Sequence, residues 1–281
     1  MSLSEATPRY RTVWISDIHL GFRGCSAERL LDFLHSVECD YLYLVGDIID
    51  ILEMKRRLFW PQSHNNVIRT ILGKAKRGTK VIYVPGNHDD MVRGYCGMAF
   101  GNVQIVHEAI HVKADGERLL VVHGDKFDSV VRCSRFMAVL GSRLYDWLLK
   151  ANRLVHFGSR IFGLPYWSLA ACLKGKVKRA VQYISNYEAA VSFEAARMGV
   201  DGVVCGHIHR PEITEMNTIT YCNSGDWVES CTALVEHYDG TMELIRWPDH
   251  ALRPLEAADE IAIMDDTKVI FGRRDHETVA V

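Results

Sequence analysis

The residues best suited to chemistry lie in five short polar motifs spread along the chain. In order, they are Asp17-Ile18-His19, Gly46-Asp47, Gly86-Asn87-His88-Asp89, His123-Gly124-Asp125 and Gly206-His207-Ile208-His209. Carboxylates, amide oxygens and imidazoles are suitable ligands for Mn²⁺, Fe or Zn²⁺. Two such ions, about 3.5–4 Å apart, supply a nucleophile at neutral pH and neutralise charge on phosphoryl oxygens. The motifs together therefore predict a dinuclear metal site for phosphate ester hydrolysis.

Each motif directly follows a short run of apolar, β-branched or aromatic residues. The runs span residues 12–15, 41–45, 80–84, 118–122 and 202–205, with helical patterns between them. This alternation predicts strands in a layered α/β fold. Ligands of open α/β sheets bind beyond the carboxyl ends of the strands, so the five motifs can converge on one site. Residues 233–236 and 242–247, around Asp239-Gly240, predict a closing hairpin.

The charge of the chain is unevenly distributed, although its net value is only −2 over 281 residues. Residues 126–179 contain eleven Lys or Arg and two acidic residues, a local net charge of +9. A helical wheel places many of these cations opposite an apolar face, and Gly141, Gly158 and Pro165 are expected to divide the segment into several helices. The segment is either a helical layer with a solvated charged face or a cap that offers cations to an anionic substrate and apolar surface to lipid.

Cysteine usage and hydropathy indicate the compartment. The eight cysteines include no CxxC pair, which favours reduced thiols and a cytoplasmic protein. No apolar run approaches the roughly 20 residues needed to cross a bilayer, so any membrane contact is expected to be peripheral. Nothing in the chain resembles a DNA-reading module, and no nucleic-acid partner is expected.

The order of the motifs resembles the calcineurin-like metallophosphoesterase superfamily, over residues 12 to about 230. The resemblance implies a sandwich of two mixed β-sheets flanked by helices, with a helical cap insertion. It also implies that Asp17, His19 and His209 hold one metal, that Asn87, His123 and His207 hold the other, and that Asp47 bridges them. A hydroxide between the ions would attack phosphorus in line, and Mn²⁺ is the preferred metal.

His88 is not a ligand in this family pattern. It is expected near the phosphoryl group, where it would protonate the leaving oxygen or stabilise negative charge while Asp89 orients its imidazole. Within the superfamily, the layout resembles the UDP-2,3-diacylglucosamine pyrophosphohydrolases of lipid A synthesis. The similar features are Val13-Trp14-Ile15-Ser16-Asp17-Ile18-His19-Leu20, the long helical insertion, and Asn223-Ser224-Gly225-Asp226-Trp227. By the same resemblance, Lys178 or Arg179 is a candidate to bind a substrate phosphate, with a solvated helix start as the alternative for each.

Two departures from that layout concern the substrate. His88 stands where the relatives commonly have Arg, and Lys126-Phe127-Asp128 replaces their Thr-Asp-Asp run. The departures leave the predicted metal ligands unchanged. The basic segment together with the family resemblance implies a metal-dependent hydrolase of an amphiphilic diphosphate, such as UDP-2,3-diacylglucosamine, at the inner membrane surface. The alternatives are a soluble phosphodiesterase or phosphatase for nucleotides or phosphoproteins, and a scaffold without metals. The expected organisation is a core of residues 1–125 and 181–248, a cap of residues 126–180 and a C-terminal tail of residues 249–281.

Overall fold

The computed structural model of the chain describes residues 7–128 and 169–248. Within these ranges the helices are α1 (Ala27–Ser36), α2 (Ile51–Arg56), α3 (Gln62–Lys76) and α4 (Leu169–Arg197), and 3₁₀ turns span Asp90–Tyr95 and Asp125–Phe127. The strands are β1 (Arg9–Ile15), β2 (Glu38–Val45), β3 (Lys80–Val84), β4 (Ala99–Phe100), β5 (Val103–Ile105), β6 (Ala109–Val112), β7 (Arg118–Val121), β8 (Gly202–Cys205), β9 (Glu212–Met216), β10 (Ile219–Asn223), β11 (Thr232–Glu236) and β12 (Met242–Arg246). The strands predicted before all five motifs are confirmed, as is the closing hairpin of β11 and β12.

The strands form two mixed sheets. The first has the order β12-β11-β1-β2-β3-β5-β4, and the second has the order β6-β7-β8-β10-β9. In the first sheet β1, β2 and β3 are parallel neighbours, and in the second β7 and β8 are parallel neighbours. The carboxyl ends of these parallel strands carry the five motifs, because each motif begins within two residues of its strand end.

Alternation of side chains along each strand explains why the sheets stack. In β1, Val13 and Ile15 face the core shared with α1 and α3, whereas Trp14 points to the core between the sheets. In β7, Leu120 faces the core under α4, whereas Leu119 and Val121 face the first sheet. Successive residues of a strand point to opposite faces, so a strand buried on both faces is apolar throughout. The result is the expected sandwich of two mixed sheets flanked by helices.

The predicted cap is described only at its two ends. Phe127 is buried in the core under α4, and Asp128 contacts that helix through Tyr183. Helix α4 then continues without interruption across the expected boundary at residues 180 and 181. Residues 129–168 and the predicted tail of residues 249–281 lie outside the described ranges, so the domain division stays a prediction. In the described part of the chain, no helix is both long enough and apolar enough to span a membrane.

Candidate metal centre

Backbone pairing that continues past the strand ends brings the motifs together. Asp17 N–H donates to the Gly46 carbonyl at 3.0 Å, and His19 N–H donates to the Asp47 carbonyl at 2.9 Å. In the second sheet, Gly206 N–H donates to the His123 carbonyl at 3.2 Å. The sheets also meet directly, since the Asp17 carboxylate accepts from His207 N–H at 2.9 Å. Motifs separated by up to 190 residues thus share one site.

The backbone at this site is strained. Eight described residues other than glycine have a positive φ, and five of them are predicted metal ligands: Asp17 (50°), His19 (56°), Asp47 (53°), His207 (71°) and His209 (54°). The left-handed region is unfavourable for side chains with a Cβ, and such strain persists where the surrounding structure enforces it, often at functional sites. Asp17, His19 and His209 share this backbone conformation, and their ligand atoms lie within 4.8 Å of one another.

Glycine is required where the strand ends approach each other. A Cβ at Gly86 would collide with the Asp47 carboxylate and with the His123 ring. A Cβ at Gly206 would likewise collide with the Asp17 carboxylate. Only a residue without a side chain lets the third and fifth motifs pack against the first two.

The side chains form a contiguous group of potential ligands. Three sets have ligand atoms within 4.8 Å of one another: Asp17, His19 and His209; His19, Asp47 and His88; and Asp17, Asp47 and His123. His207 joins them through its Nδ1, which lies 3.3 Å from His123 Nε2. Asn87 stands between Gly86 and His88, and His88 N–H donates to Asp47 Oδ1 at 2.8 Å. Six of the seven predicted ligands are thus linked by short distances between their side chains, and Asn87 lies next in sequence to Gly86, which packs against Asp47 and His123.

Three of the imidazoles donate a hydrogen bond to an oxygen atom through the ring nitrogen that faces away from the shared centre. His19 Nδ1 donates to Asp50 Oδ2 (3.0 Å), His123 Nδ1 donates to the Val45 carbonyl (3.0 Å), and His207 Nε2 donates to Asp128 Oδ1 (2.7 Å). In each ring the other nitrogen is directed toward the shared centre. A hydrogen bond of this kind fixes the tautomer and orientation of a metal-binding histidine.

Polar atoms left without partners fit a bound cation. The described residues provide no hydrogen-bond partner for His19 Nε2 or Asn87 Oδ1, although both atoms are buried. Buried polar atoms are almost always paired, because an unpaired one costs about 1–3 kcal/mol. An imidazole nitrogen and an amide oxygen, together with buried carboxylates, are the ligands expected for divalent transition metals.

The local charge also favours cations. Burial alone would raise the pKa of Asp47, but the neighbouring histidines, His123 foremost, hold that pKa well below its usual value. Burial alone would lower the pKa of His123, but the Asp47 and Asp17 carboxylates raise it to about 10. The buried Asp47 carboxylate therefore stays ionised, and its negative charge would favour bound cations.

His88 is held by a carboxylate that the sequence did not single out. Its Nδ1 donates to Asp50 Oδ1 at 2.8 Å, and its Nε2 lies 4.0 Å from Asp47 Oδ2. Asp50 also accepts from the Glu53 backbone N–H and so caps α2. Burial opposes ionisation of Asp50, but hydrogen bonds from His19 and His88 lower its pKa below the usual value. In the sequence, Asp50 could have been noticed only as an acidic residue three positions after Asp47, at the N-cap of a helix.

The orienting role expected for Asp89 is corrected by these contacts. The Asp89 carboxylate is fully buried, and it accepts from the backbone of Ile48 and Gly86 and from the Tyr83 hydroxyl. Burial and the nearby Asp47 charge raise the pKa of Asp89. Asp89 therefore joins the second and third motifs through their backbone, and Asp50 is the partner of the His88 ring.

Asp128 is a second contact that the sequence did not identify. Besides His207 Nε2, its Oδ1 accepts from the Tyr183 hydroxyl of α4 at 2.7 Å. The Tyr187 ring, one turn further along α4, stacks on His207 with centroids 5.7 Å apart. The start of the predicted cap and α4 thus support a predicted metal ligand. The only sequence signal was an acid five residues after His123.

For the two candidate phosphate-binding residues, the structure describes the backbone only. Lys178 and Arg179 lie in α4, but the described part of the structure does not include their side chains. Their role as substrate contacts stays a prediction.

Comparison with known proteins agrees with this geometry. The sequence profile described as "Calcineurin-like phosphoesterase" matches residues 10–211. The UDP-2,3-diacylglucosamine hydrolase of Aliivibrio fischeri is 23% identical over 247 residues, which cover 81% of this chain and 94% of that protein. The enzyme of the same name from Vibrio cholerae El Tor is 23% identical over 247 residues, which cover 80% of this chain and 93% of that protein. The enzyme of this name from Xanthomonas campestris is 26% identical over 248 residues, which cover 82% of this chain and 96% of that protein.

Proposed function

Because the chain belongs to the calcineurin-like phosphoesterase family, we propose that this metal-dependent hydrolase cleaves the pyrophosphate bond of UDP-2,3-diacylglucosamine or of a similar amphiphilic diphosphate. The observation that carries the catalytic part is the arrangement of His19, His123 and His207. Each ring is anchored through one nitrogen to an oxygen outside the centre, and its other nitrogen is directed inward. Such preorganisation is typical of a metal site.

In the proposed division of ligands, each ion receives side chains from both sheets. Asp17, His19 and His209 would hold one ion, Asn87, His123 and His207 the other, and Asp47 would contact both. Two bound divalent cations, for which Mn²⁺ is our first choice, provide a nucleophile at neutral pH and neutralise charge on the phosphoryl oxygens. Fe and Zn²⁺ suit the same ligands.

His88 is proposed as the residue that acts on the leaving oxygen. Its Nδ1 is bonded to the Asp50 carboxylate, so its Nε2 is the nitrogen that can approach the substrate. The side chain is 27% exposed, so a substrate can reach it. A protonated ring in this position would donate its proton to the leaving oxygen or stabilise developing negative charge.

The substrate class is supported by the relatives and by the charge of the chain. Proteins named UDP-2,3-diacylglucosamine hydrolase align over at least 80% of this chain. The basic segment of residues 126–179 offers cations to a diphosphate, and Lys178 and Arg179 are the proposed contacts. We place the reaction on the cytoplasmic side of the inner membrane, with peripheral attachment.

The direct test is to incubate the purified protein with Mn²⁺ and UDP-2,3-diacylglucosamine and to measure UMP and the lipid monophosphate. Water-soluble bis-para-nitrophenyl phosphate serves as the comparison substrate. Release of UMP at a higher kcat/KM than for the soluble ester supports the proposal. Turnover of the soluble ester alone would reject the lipid substrate and favour a soluble phosphodiesterase.

Metal analysis separates an enzyme from a scaffold. Protein purified without chelator, or supplied with Mn²⁺, is expected to bind about two ions per chain. Less than one ion per chain, with no increase on addition of Mn²⁺, would contradict a dinuclear centre.

A further inference from the structure

A short exposed segment with basic and apolar residues lies at the C-terminal end of α2, the helix that Asp50 caps. Residues 55–60, which we call the basic-aromatic turn, read Lys55-Arg56-Arg57-Leu58-Phe59-Trp60. Its three cationic residues are exposed, as are Leu58 (77%) and Trp60 (37%). Single exposed apolar residues are ordinary on protein surfaces. Three consecutive cations beside an exposed Leu and Trp are a more specific combination.

The turn is held in place by packing on its inner side. The rings of Phe59 and Trp60 each pack edge to face on His64, with centroids 5.6 Å apart. His64 Nδ1 in turn accepts from Gly21 N–H at 2.9 Å, two residues after His19. The Arg23 guanidinium lies 5.0 Å from the Phe59 ring centroid. These contacts fix the turn against the loop of the first motif and leave Leu58, the cations and the exposed part of Trp60 on the outer side.

The same turn is close to the catalytic centre. It begins at the C-terminal end of α2, and Asp50 caps the N-terminus of that helix while binding His19 and His88. A six-residue helix is only about 9 Å long at 1.5 Å per residue. A surface docked on residues 55–60 would therefore lie roughly one helix length from the reacting groups.

We propose that the basic-aromatic turn docks the protein on an anionic lipid bilayer. Trp favours the interface between headgroups and acyl chains, an exposed Leu gains from entering that layer, and cations are attracted by anionic headgroups. Charge complementarity thus selects anionic lipid over a neutral surface. This inference rests on the proposed amphiphilic substrate, which must be reached from a membrane. It places a membrane contact in the core rather than in the cap.

The test is sedimentation of the full-length protein with vesicles of phosphatidylethanolamine and phosphatidylglycerol, compared with vesicles of phosphatidylcholine alone. The variants are Arg56→Glu/Arg57→Glu and Leu58→Ser. Phe193→Ser is the matched control, because Phe193 is 71% exposed on α4, the helix that covers the other sheet.

We expect wild type and Phe193→Ser to bind the anionic vesicles equally, and both to release them as salt is raised. The double charge reversal should weaken binding at least about tenfold, and Leu58→Ser should weaken it measurably. Equal binding of all variants, absence of wild-type binding, or equal binding to phosphatidylcholine would overturn the proposal. The proposal would also be overturned if an oligonucleotide releases the wild-type protein from the vesicles and binds the Arg56→Glu/Arg57→Glu variant more weakly than the wild type.

These vesicles contain no substrate, so the result is independent of the proposed reaction. Unchanged melting temperatures show that the variants are folded, and unchanged turnover of bis-para-nitrophenyl phosphate shows that the centre is intact. If the protein cleaves no ester at all, the proposed function fails while the binding comparison still stands.

Discussion

Oδ1 of Asp50 lies 2.8 Å from Nδ1 of His88, so a single carboxylate joins the proposed proton donor to the metal centre. The other oxygen of Asp50 binds the ring of His19 at 3.0 Å. The two imidazoles are packed edge to face, with centroids 4.7 Å apart. Asp50 therefore positions one predicted ligand and one predicted catalytic residue at the same time.

Substitution of Asp50 is expected to damage both functions. Asp50→Ala should weaken metal binding by roughly 10–100-fold, the usual effect of losing the partner of a metal-bound histidine, and should also lower turnover at saturating metal. Asp50→Asn is the control, because Asn caps a helix about as well as Asp and so preserves the start of α2. Isothermal titration with Mn²⁺ and steady-state kinetics measure the two effects. Wild-type affinity and kcat in Asp50→Ala would show that Asp50 serves only as a helix cap.

Asp47 and His88 should respond differently to removal. Asp47→Ala deletes the carboxylate proposed to contact both ions and should abolish metal retention and activity together. His88→Ala should retain nearly normal metal content while turnover falls by roughly 10²–10⁴-fold, as for loss of a general acid. The checks are metal content by mass spectrometry and kcat with an aryl phosphodiester. Equal metal loss in the two variants would contradict the separate roles.

Asp128 should affect the centre through His207. Asp128→Ala removes the acceptor that holds the ring and is expected to reduce metal affinity by roughly 10–100-fold. Tyr183→Phe is the matched control, since it removes the other hydrogen bond to Asp128 Oδ1 but leaves the bond from His207 intact. Competition with a fluorescent metal chelator measures the affinity. A larger loss in Tyr183→Phe than in Asp128→Ala would indicate that α4, rather than the carboxylate, positions the ligand.

A buried acid remote from the metal centre should make stability depend on pH. Glu236 accepts from Arg11, Thr12 and His111, which lie on strands of both sheets. Burial alone would raise its pKa, but these hydrogen bonds, led by that of His111, lower it to about 2 from an ordinary value of 4.5. A lowered folded-state pKa stabilises the protein above pH 4.5, and that stabilisation is lost as pH falls toward 2.

Glu236→Gln should therefore be less stable than wild type near pH 7, by roughly 2–3 kcal/mol. The difference should shrink between pH 4.5 and 2. Urea unfolding over this pH range provides the measurement, and Glu215→Gln, at an exposed position of β9, is the control. A stability difference that does not change with pH would argue against the ionised carboxylate as its source.

The sequence predicted the positions of the ligands because their signal is local. Each candidate ligand lies close behind an apolar run, and those runs are strands in the structure. A strand is recognised from a few adjacent residues, and the carboxyl end of a parallel strand is a recurrent ligand site. Asp17, Asp47 and His207 could therefore be expected at one site, and the family resemblance implied that they are metal ligands.

The hydrogen-bond partners of those side chains could not be predicted from the local sequence. Asp89 follows His88 directly, yet its carboxylate turns into the core and bonds Tyr83. The left-handed backbone at Asp17, Asp47 and His207 was equally hidden, since none of these residue types requires it. Such conformations arise from packing of distant segments rather than from local preference.

By itself, the amino-acid sequence determined the strand positions and the family resemblance, and it predicted the residues proposed to bind two metals. Only the tertiary structure decided which carboxylate holds which imidazole. Asp50 is 38 residues from His88, and Asp128 is 79 residues from His207. A hydrogen bond requires two atoms within about 3 Å in the correct orientation, and over such separations only the packing of the sheets and α4 sets that distance.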